Sequence, residues 1–324
     1  MNTSLAVLSY LSRHQDRYVS GQKLASEFGV SRSAIWKAIE SLRDEGHLID
    51  AVTNRGYCLV HQGELFDKGM LEKLLPSVPI HLFDTIDSTN RYAKQLSSEG
   101  CLTPALVLAH SQSGGRGRLG RSFSSPKGGI YLSLILSPPA SVTEASLITS
   151  AAAVAAAQAI EETCGFSCGI KWVNDLFLDG CKVGGILTEG VMDVESGKLS
   201  LMVVGIGINF STPHQAYPPA LRPIVKSLYE KSSLVPEDVD PSLLVARLVQ
   251  KLIGYSSALS ERAFLSEYRS RSIVLGRDIL IRTQKKQRKA RAVSIDEDAH
   301  LVVVTEEGKE EILSSGEISI GLDA

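Results

Sequence analysis

Residues 112–129 read QSGGRGRLGRSFSSPKGG and lead directly into an apolar, β-prone run at Ile130–Leu136. These eighteen residues contain six glycines, four basic side chains and no acidic one. Glycine lets backbone N–H groups approach an anion closely, and arginine adds charge and a forked set of donors. The composition therefore predicts a loop that binds a carboxylate or a phosphate.

The residues in and after this loop exclude three known kinds of glycine-rich loop. Gly115, Gly117 and Gly120 match the spacing G-x-G-x-x-G, but a dinucleotide site needs a helix next and an acidic residue about twenty positions later. A nucleotide-binding P-loop needs a lysine where Arg121 stands. A kinase loop needs catalytic motifs that do not follow. We therefore exclude these three interpretations.

Strand and helix patterns mix throughout residues 81–271, and hairpins join several of the strands. This predicts an α+β domain with a mixed or antiparallel sheet backed by helices. The predicted strands are His81–Thr85, Leu106–His110, Ile130–Leu136, Gly169–Trp172, Lys182–Glu189 and Ser200–Gly207. The predicted helices are Asn90–Ser98, Glu144–Cys164 and Ser242–Ser270.

A second polar cluster begins at KWVNDL, residues 171–176, and continues to Asp179-Gly180, a two-residue hairpin turn. A tight turn sets residue 177 opposite 182, so Asp175 and Lys182 project from the same face of the hairpin. They can serve one small ligand or form a simple surface ion pair. Glycines inside the next strands, Gly184-Gly185 and Gly205-x-Gly207, indicate the close approach of another group.

Residues 1–62 predict a winged helix-turn-helix. Ser20 and Ser31 are candidate N-caps, Gly29 marks the turn, and Gly46 is a candidate helix end. Ile35, Ile39 and Leu42 recur at helical spacing and face the predicted core. The outward side chains of this helix and the tip of the hairpin supply the DNA-binding candidates, which are Arg32, Ser33, Lys37 and Arg55.

Charge limits how strongly this segment binds DNA. It holds seven Lys and Arg against six Asp and Glu, a net charge of +1. Such a charge predicts modest affinity for one protomer, so specific binding calls for a dimer. A three-helix domain that binds protein instead remains an alternative.

A connector at 63–80 joins this domain to the central one. Residues 272–324 form short alternating strands with Gly and Asp turns, which predicts a small β-barrel. Six of the ten residues from Arg282 to Arg291 are basic. They form either a solvated hairpin or a docking surface for an acidic partner. The predicted domains are thus 1–62, 81–271 and 272–324.

The overall composition is that of a globular protein: 324 residues, 44% hydrophobic, 22% charged, with a net charge of −2. This balance argues against binding nucleic acid by bulk charge alone. The five cysteines contain no C-x-x-C pair, so neither a disulfide scaffold nor a cysteine zinc site is expected. No export signal or membrane span is expected, which predicts a cytoplasmic protein without a membrane partner.

Five motifs occur in one order: DSTN at 87–90, GGRGRLGR at 114–121, KWVNDL at 171–176, GCKVGGILTE at 180–189 and GIGIN at 205–209. Together they resemble the biotin protein ligase family. The N-terminal helix-turn-helix makes the chain similar to the bifunctional class, which also represses the biotin operon. The resemblance covers essentially the whole chain. It implies a class II synthetase-like ligase domain and an SH3-like C-terminal barrel.

The resemblance also implies a two-step reaction. Biotin is the substrate and ATP, with Mg²⁺, the co-substrate, and they give biotinyl-5′-AMP. A lysine of the biotin carboxyl carrier protein of acetyl-CoA carboxylase then receives the biotin. Magnesium comes with ATP, and no dedicated metal ligands are expected.

The family's site residues are carried over by motif. The implied catalytic residues are Arg118, Lys182 and Asp175. The implied biotin- and adenylate-binding residues are Ser88, Thr89, Asn90, Gln112, Gly115, Arg116, Gly117, Arg118, Lys182, Gly185, Gly205 and Asn209. Asn209 is expected near the phosphates and Mg²⁺, and Thr212–Pro223 over the adenine. Many relatives have two aromatic residues after the basic loop, whereas only Phe123 follows it here.

Partners follow from the two implied activities. They are the carrier protein, operator DNA and a second copy of the chain, with the homodimer favoured by biotinyl-5′-AMP. Two alternatives remain: a lipoate–protein ligase, which shares the catalytic fold, and a regulator that senses the adenylate without transferring it. The polar cluster Ser88-Thr89-Asn90 favours biotin over lipoate, and the presence of Arg118, Asp175 and Lys182 favours an enzyme.

Overall fold

The computed structural model describes residues 3–14, 17–45, 47–53, 55–61, 65–139, 141–193, 198–282 and 287–320. Within these ranges the strands form a two-stranded, a seven-stranded and a five-stranded sheet. Helices accompany the first two sheets, so the predicted α+β class is confirmed.

The N-terminal unit is a helix-turn-helix followed by a β-hairpin. Its elements are α1 (Thr3–Ser12), α2 (Gly21–Phe28), α3 (Arg32–Asp44), β1 (Leu48–Val52) and β2 (Gly56–His61). The side chains of Ser20 and Ser31 cap α2 and α3 as predicted, accepting backbone N–H bonds of 3.1 and 3.2 Å. Gly29 ends α2 at φ 64°, a conformation that favours glycine. The proposed cap at Gly46 lies outside the described residues.

The central sheet is mixed, as predicted. Its strands are β3 (Ile80–Ile86), β4 (Ala105–Gln112), β5 (Ile130–Leu136), β6 (Gly169–Lys171), β7 (Asp175–Leu178), β8 (Cys181–Met192) and β9 (Leu199–Ile208). They lie in the order β3-β4-β5-β9-β8-β7-β6. Strands β3 and β4 are parallel and the other neighbours are antiparallel.

Helices cover both faces of this sheet. They are α4 (Lys68–Leu74), α5 (Thr89–Ser98), α6 (Val142–Cys164), α7 (Pro241–Ser257) and α8 (Leu265–Ser270). Buried alanines of α6, among them Ala152, Ala155 and Ala159, belong to the large core on one face. Their small side chains let α7 approach closely. Helix α5 packs on the other face through Ala93, against Val107 and Val203.

The prediction of one continuous helix from Ser242 to Ser270 is wrong. Helix α7 ends at Ser257, and a short turn follows in which Arg262 has φ 52°. This turn buries Leu259 and Phe264, which a straight helix would not bring into the same core. The Arg262 side chain also donates to the backbone oxygen of Glu297 at 2.7 Å, which ties the turn to the C-terminal sheet.

The C-terminal sheet contains β10 (Asp278–Arg282), β11 (Gln287–Ile295), β12 (Leu301–Thr305), β13 (Glu310–Leu313) and β14 (Glu317–Ile320). Neighbouring strands are antiparallel in the order β13-β12-β11-β10-β14. In the described ranges no pairing joins the outer strands β13 and β14, so the SH3-like barrel stays a prediction. The indole nitrogen of Trp172 donates to the Ala299 carbonyl oxygen at 3.0 Å and attaches this sheet to the central domain.

None of the helices in the described part of the chain combines the length and apolarity that crossing a membrane requires. The alanine-rich helix α6 is the longest element, at 23 residues, and it lies in the protein core.

Candidate active site

A cleft of about 150 Å³ lies over the central sheet where α5, the basic loop and the C-terminal sheet meet. The predicted site residues that line it are Ser88, Thr89, Asn90, Gln112, Arg116, Gly117, Arg118, Asp175, Lys182, Gly185 and Gly205. They come from segments more than a hundred residues apart, so the fold brings them together.

Gly115 and Asn209 do not line the cleft. A Cβ on Gly115 would lie 2.4 Å from the Phe123 carbonyl oxygen, so glycine permits the tight fold of the basic loop. Asn209 is buried, and its amide nitrogen donates to the backbone oxygens of Lys226 at 3.1 Å and Lys182 at 3.4 Å. It holds the strand that carries Lys182. The segment 212–223, predicted to cover the adenine, does not line the cleft either.

One end of the cleft is polar but uncharged. The backbone N–H and the hydroxyl of Thr89 both donate to the side-chain oxygen of Gln112, at 2.9 and 3.1 Å. The Gln112 amide nitrogen donates in turn to the Ser125 hydroxyl at 2.8 Å. These bonds fix Gln112 against the start of α5. This end can offer both donors and acceptors to a neutral polar group.

Glycines in β9 leave room for side chains that lie on the sheet. A Cβ on Gly205 would be 2.1 Å from the side-chain oxygen of Asn90, and one on Gly207 would be 2.5 Å from the Phe123 ring. The sequence predicted a close approach at these glycines. The approaching groups are side chains of the protein itself, and they form the cleft floor.

The other end of the cleft is cationic. The register sets Phe177 opposite Lys182, as predicted. The Lys182 ammonium nitrogen lies 2.6 Å from a carboxylate oxygen of Asp175. The Arg118 guanidinium donates to the Asn174 side-chain oxygen at 3.0 Å. Lys182 and Arg118 give this end an affinity for carboxylates and phosphates. Arg116 also lines the cleft and is exposed, and its charge acts on Glu189, which bonds to Asn90.

Lys171 is a second lysine beside Asp175. The two residues are direct partners across β6 and β7. The pKa of the Lys171 ammonium is lowered, chiefly by burial. The charge of Lys182 also lowers it, and the Asp175 carboxylate offsets part of this effect. The ammonium nitrogen lies 5.6 Å from the centre of the Phe177 ring. Lys171 belongs to the KWVNDL motif, but no role was predicted for it.

The C-terminal sheet completes the cleft, which the sequence analysis missed. Gly316, Glu317 and Ile318 line it. The Glu317 carboxylate forms a two-bond ion pair with Arg121 of the basic loop, and this hydrogen bonding raises the pKa of the Arg121 guanidinium. The opposite charges of these two residues were the available signal, but nothing in the sequence indicated that they meet.

The proposed DNA-binding residues are all exposed on the N-terminal unit. Arg32, Ser33 and Lys37 project from α3, whereas Ile35 and Ile39 of the same helix are fully buried.

Arg55 of the hairpin lies 4.7 Å from the centre of the Tyr18 ring. Trp36, which the sequence analysis did not single out, is 54% exposed on α3 and lies one helical turn from Arg32 and Ser33. Aromatic and basic side chains are therefore interleaved on this helix.

In the ranges that the structure describes, no three His, Cys, Asp or Glu side chains converge as metal ligands. The cleft itself has an uncharged polar end and a cationic end. This arrangement suits a ligand that is neutral and polar at one end and anionic at the other.

Comparison with known proteins gives consistent results. Residues 82–209 match the model of the biotin/lipoate A/B protein ligase family, and residues 3–58 match a helix-turn-helix domain. The bifunctional ligase/repressor BirA of Bacillus spizizenii is 32% identical over 323 residues, which cover 97% of this chain and 98% of that protein. A biotin–[acetyl-CoA-carboxylase] ligase of Paracoccus denitrificans is 31% identical over 245 residues, covering 72% and 98%.

A solved structure gives the same relationship. The biotin protein ligase of Aquifex aeolicus, in complex with biotin and ATP, superimposes with a TM-score of 0.60 at 25% identity. The match covers 75% of this chain and 98% of that one.

The contact between Gly205 and Asn90 predicts the effect of a single methyl group. In Gly205→Ala the new Cβ overlaps the buried Asn90 amide, so we expect the free energy of unfolding to fall by about 1–3 kcal/mol, the usual cost of overpacking. Chemical denaturation measures this change. The matched control is Gly254→Ala within α7, where a Cβ meets nothing within 4 Å. It should stabilise by about 0.5–1 kcal/mol. Equal effects of the two substitutions would contradict the prediction.

Proposed function

The chain belongs to the biotin/lipoate A/B protein ligase family, and we propose how its residues carry out the two activities of the bifunctional ligase/repressors in that family. It is an ATP-dependent biotin ligase with an N-terminal DNA-binding domain. The observation that carries the assignment is the polarity of the cleft. An uncharged polar end at Thr89 and Gln112 faces a cationic end at Arg118 and Lys182.

Biotin matches this polarity. Its ureido ring offers one acceptor and two N–H donors, which suit Ser88, Thr89, Asn90 and Gln112. Its carboxylate extends from the other end of the molecule and reaches the cations. The polar end disfavours lipoate, because a dithiolane ring has no N–H donor for the acceptor site that remains open on the Asn90 oxygen. These contacts are our proposal for the direction in which biotin binds.

In the first step an oxygen of the biotin carboxylate attacks the α-phosphorus of ATP. A bond forms between them, the bond to the bridging oxygen breaks, and pyrophosphate leaves. Arg116, Arg118 and Lys182 hold the carboxylate and the α-phosphate together and offset the negative charge that grows between them. Gly117 and Gly185 let the chain approach the adenylate, and Gly205 makes room for the Asn90 amide that meets biotin. Magnesium comes with the triphosphate and neutralises part of its charge.

In the second step the ε-amine of the carrier lysine attacks the carbonyl carbon of the mixed anhydride. An amide bond forms, AMP leaves, and the amine loses a proton. Asp175 is the proposed acceptor or orienting group, since its carboxylate lies beside Lys182 at the cationic end. The carrier is the biotin carboxyl carrier protein of acetyl-CoA carboxylase, in keeping with the function of the Paracoccus relative.

The second activity belongs to the N-terminal domain. Its recognition helix presents Arg32, Ser33 and Lys37 to the major groove of operator DNA, and Arg55 reaches the backbone from the hairpin. The exposed Trp36 adds an apolar contact beside them. These assignments rest on exposure and on the helix-turn-helix geometry.

We assign the domains to residues 1–62, 81–271 and 272–324, with 63–80 as the connector. The C-terminal sheet is proposed to curl into a small SH3-like barrel that presses Glu317 onto the basic loop. A cytoplasmic location is in keeping with DNA and a carrier protein as the two partners.

Exchange of labelled pyrophosphate into ATP tests the first step. We expect exchange with biotin and none above background with lipoate, because only biotin satisfies the polar end. Transfer of labelled biotin to a carrier domain then separates the enzyme from an adenylate sensor. Exchange with lipoate alone would refute the assignment, and exchange without transfer would favour a sensor.

Removing the forked contact of Arg118 should release the intermediate. In Arg118→Ala we expect the adenylate to dissociate about ten- to a hundredfold faster, because a charge-assisted hydrogen bond contributes about 1.5–3 kcal/mol. Capture of the released adenylate by hydroxylamine measures the leak. Arg277→Ala, at an exposed arginine that does not line the cleft, is the control. Equal leakage from both variants would remove Arg118 from the proposed role.

We propose further that biotinyl-5′-AMP, and not biotin, favours the homodimer. A domain with a net charge of +1 gains little from phosphates alone. Two such domains on a palindrome supply the missing contacts. The ligand shifts assembly only as far as it binds the dimer better than the monomer.

Sedimentation with a non-hydrolysable adenylate analogue should reveal a dimer, and biotin alone should leave the monomer. Lys37→Ala is expected to weaken DNA binding without changing this assembly. An unchanged monomer–dimer constant would refute the coupling and leave the ligase assignment intact.

A further inference from the structure

The amide of Asn90 is the most constrained polar group of the cleft. Its nitrogen donates to a Glu189 carboxylate oxygen at 2.8 Å and to the Leu187 carbonyl oxygen at 3.3 Å. Its oxygen accepts a bond of 2.6 Å from the hydroxyl of Ser133. Asn90 is only 5% exposed, and that small surface belongs to the cleft.

These bonds leave Asn90 with one open hydrogen-bonding site. The amide has two N–H donors and two acceptor sites on its oxygen. Both donors are in use, and one acceptor site is occupied by Ser133. A ligand atom that bonds to Asn90 must therefore be a donor.

Glu189 and the Leu187 carbonyl oxygen both favour the same orientation of this amide, and Glu189 forms the shorter bond. Burial alone would raise the pKa of the Glu189 carboxyl, but hydrogen bonds from Lys94 and Asn90, together with the charges of Lys94 and Arg116, outweigh burial and lower the pKa. The Lys94 ammonium nitrogen lies 2.6 Å from its other oxygen. An ionised carboxylate only accepts hydrogen bonds, so a flipped amide would set two oxygens against each other.

We propose that Glu189, held by Lys94, is a positioning residue that keeps the Asn90 oxygen available for the ligand and thereby selects a ureido N–H donor. This inference rests on the proposed function. Glu189 does not line the cleft, and it acts through Asn90. Since one lone pair meets one hydrogen, the selection concerns one of the two ureido N–H groups of biotin.

Two derivatives of biotin, each methylated at one ureido nitrogen, make the test specific. Calorimetric titration of the full-length protein without ATP gives the preference for biotin over each derivative. In Glu189→Gln the new amide accepts either orientation of Asn90, so that only the longer bond to the Leu187 carbonyl oxygen still opposes a flip. We expect the preference over one derivative to fall about tenfold, since a hydrogen bond to a charged group no longer fixes the acceptor. The preference over the other derivative and the KM for ATP should stay within about twofold.

Glu72→Gln is the matched control, because Glu72 forms an exposed ion pair with Lys68 on α4. It should change neither preference. If Glu189→Gln does not fold, the double variant Lys94→Gln/Glu189→Gln removes both charges together and carries the same expectation.

The outcomes are distinguishable. Loss of preference over one derivative supports the inference. Unchanged preferences over both derivatives overturn it, and so does an equal loss over both, whatever the KM for ATP. If the wild-type protein itself does not bind biotin, the proposed function fails first, and the inference falls with it.

Discussion

The architecture of the cleft depends on the absence of side chains at the glycines of β9. Gly205 lets the amide of Asn90 lie directly on the sheet, and Gly207 does the same for the Phe123 ring. The first contact fixes the start of α5, and the second fixes the end of the basic loop. A larger residue at either position would displace the element above it. The sheet thus determines the shape of the site through the residues that it lacks.

Local patterns made part of this structure predictable. The Asp179-Gly180 turn predicted the pairing of Phe177 with Lys182, although the register shifts between Leu176 and Phe177, and Asp175 and Lys182 form the ion pair on this hairpin. Serine caps located the starts of α2 and α3, and apolar spacing identified their buried face. Each of these features depends on residues within a few positions of one another. The motif resemblance then extended the prediction to residues that are distant in sequence.

The features that sequence analysis missed all depend on long-range packing. The pair Arg121–Glu317 joins positions 196 residues apart, and neither residue carries a local signal of the other. Asn209 belongs to a recognisable motif, yet its amide is used to hold backbone at Lys182 and Lys226. One helix was predicted from Ser242 to Ser270, but α7 ends at Ser257, and the turn that follows buries Leu259 and Phe264.

The two functional regions are linked by a short stretch of chain. The backbone of Lys182 pairs with Ile224 and Lys226 at 2.9 and 3.0 Å. A few residues later, the Ser232 hydroxyl donates to the carbonyl oxygen of Arg43, at the end of the recognition helix, at 2.7 Å.

Contiguity alone does not couple two sites, because a ligand shifts a structure only when it binds one arrangement better than another. The lysine that would hold the adenylate and the helix that would read DNA nevertheless share this one segment. Coupling through it would require that the adenylate and DNA each favour one position of this segment over another. Reciprocity would then make the effect of DNA on adenylate binding equal to that of the adenylate on DNA binding.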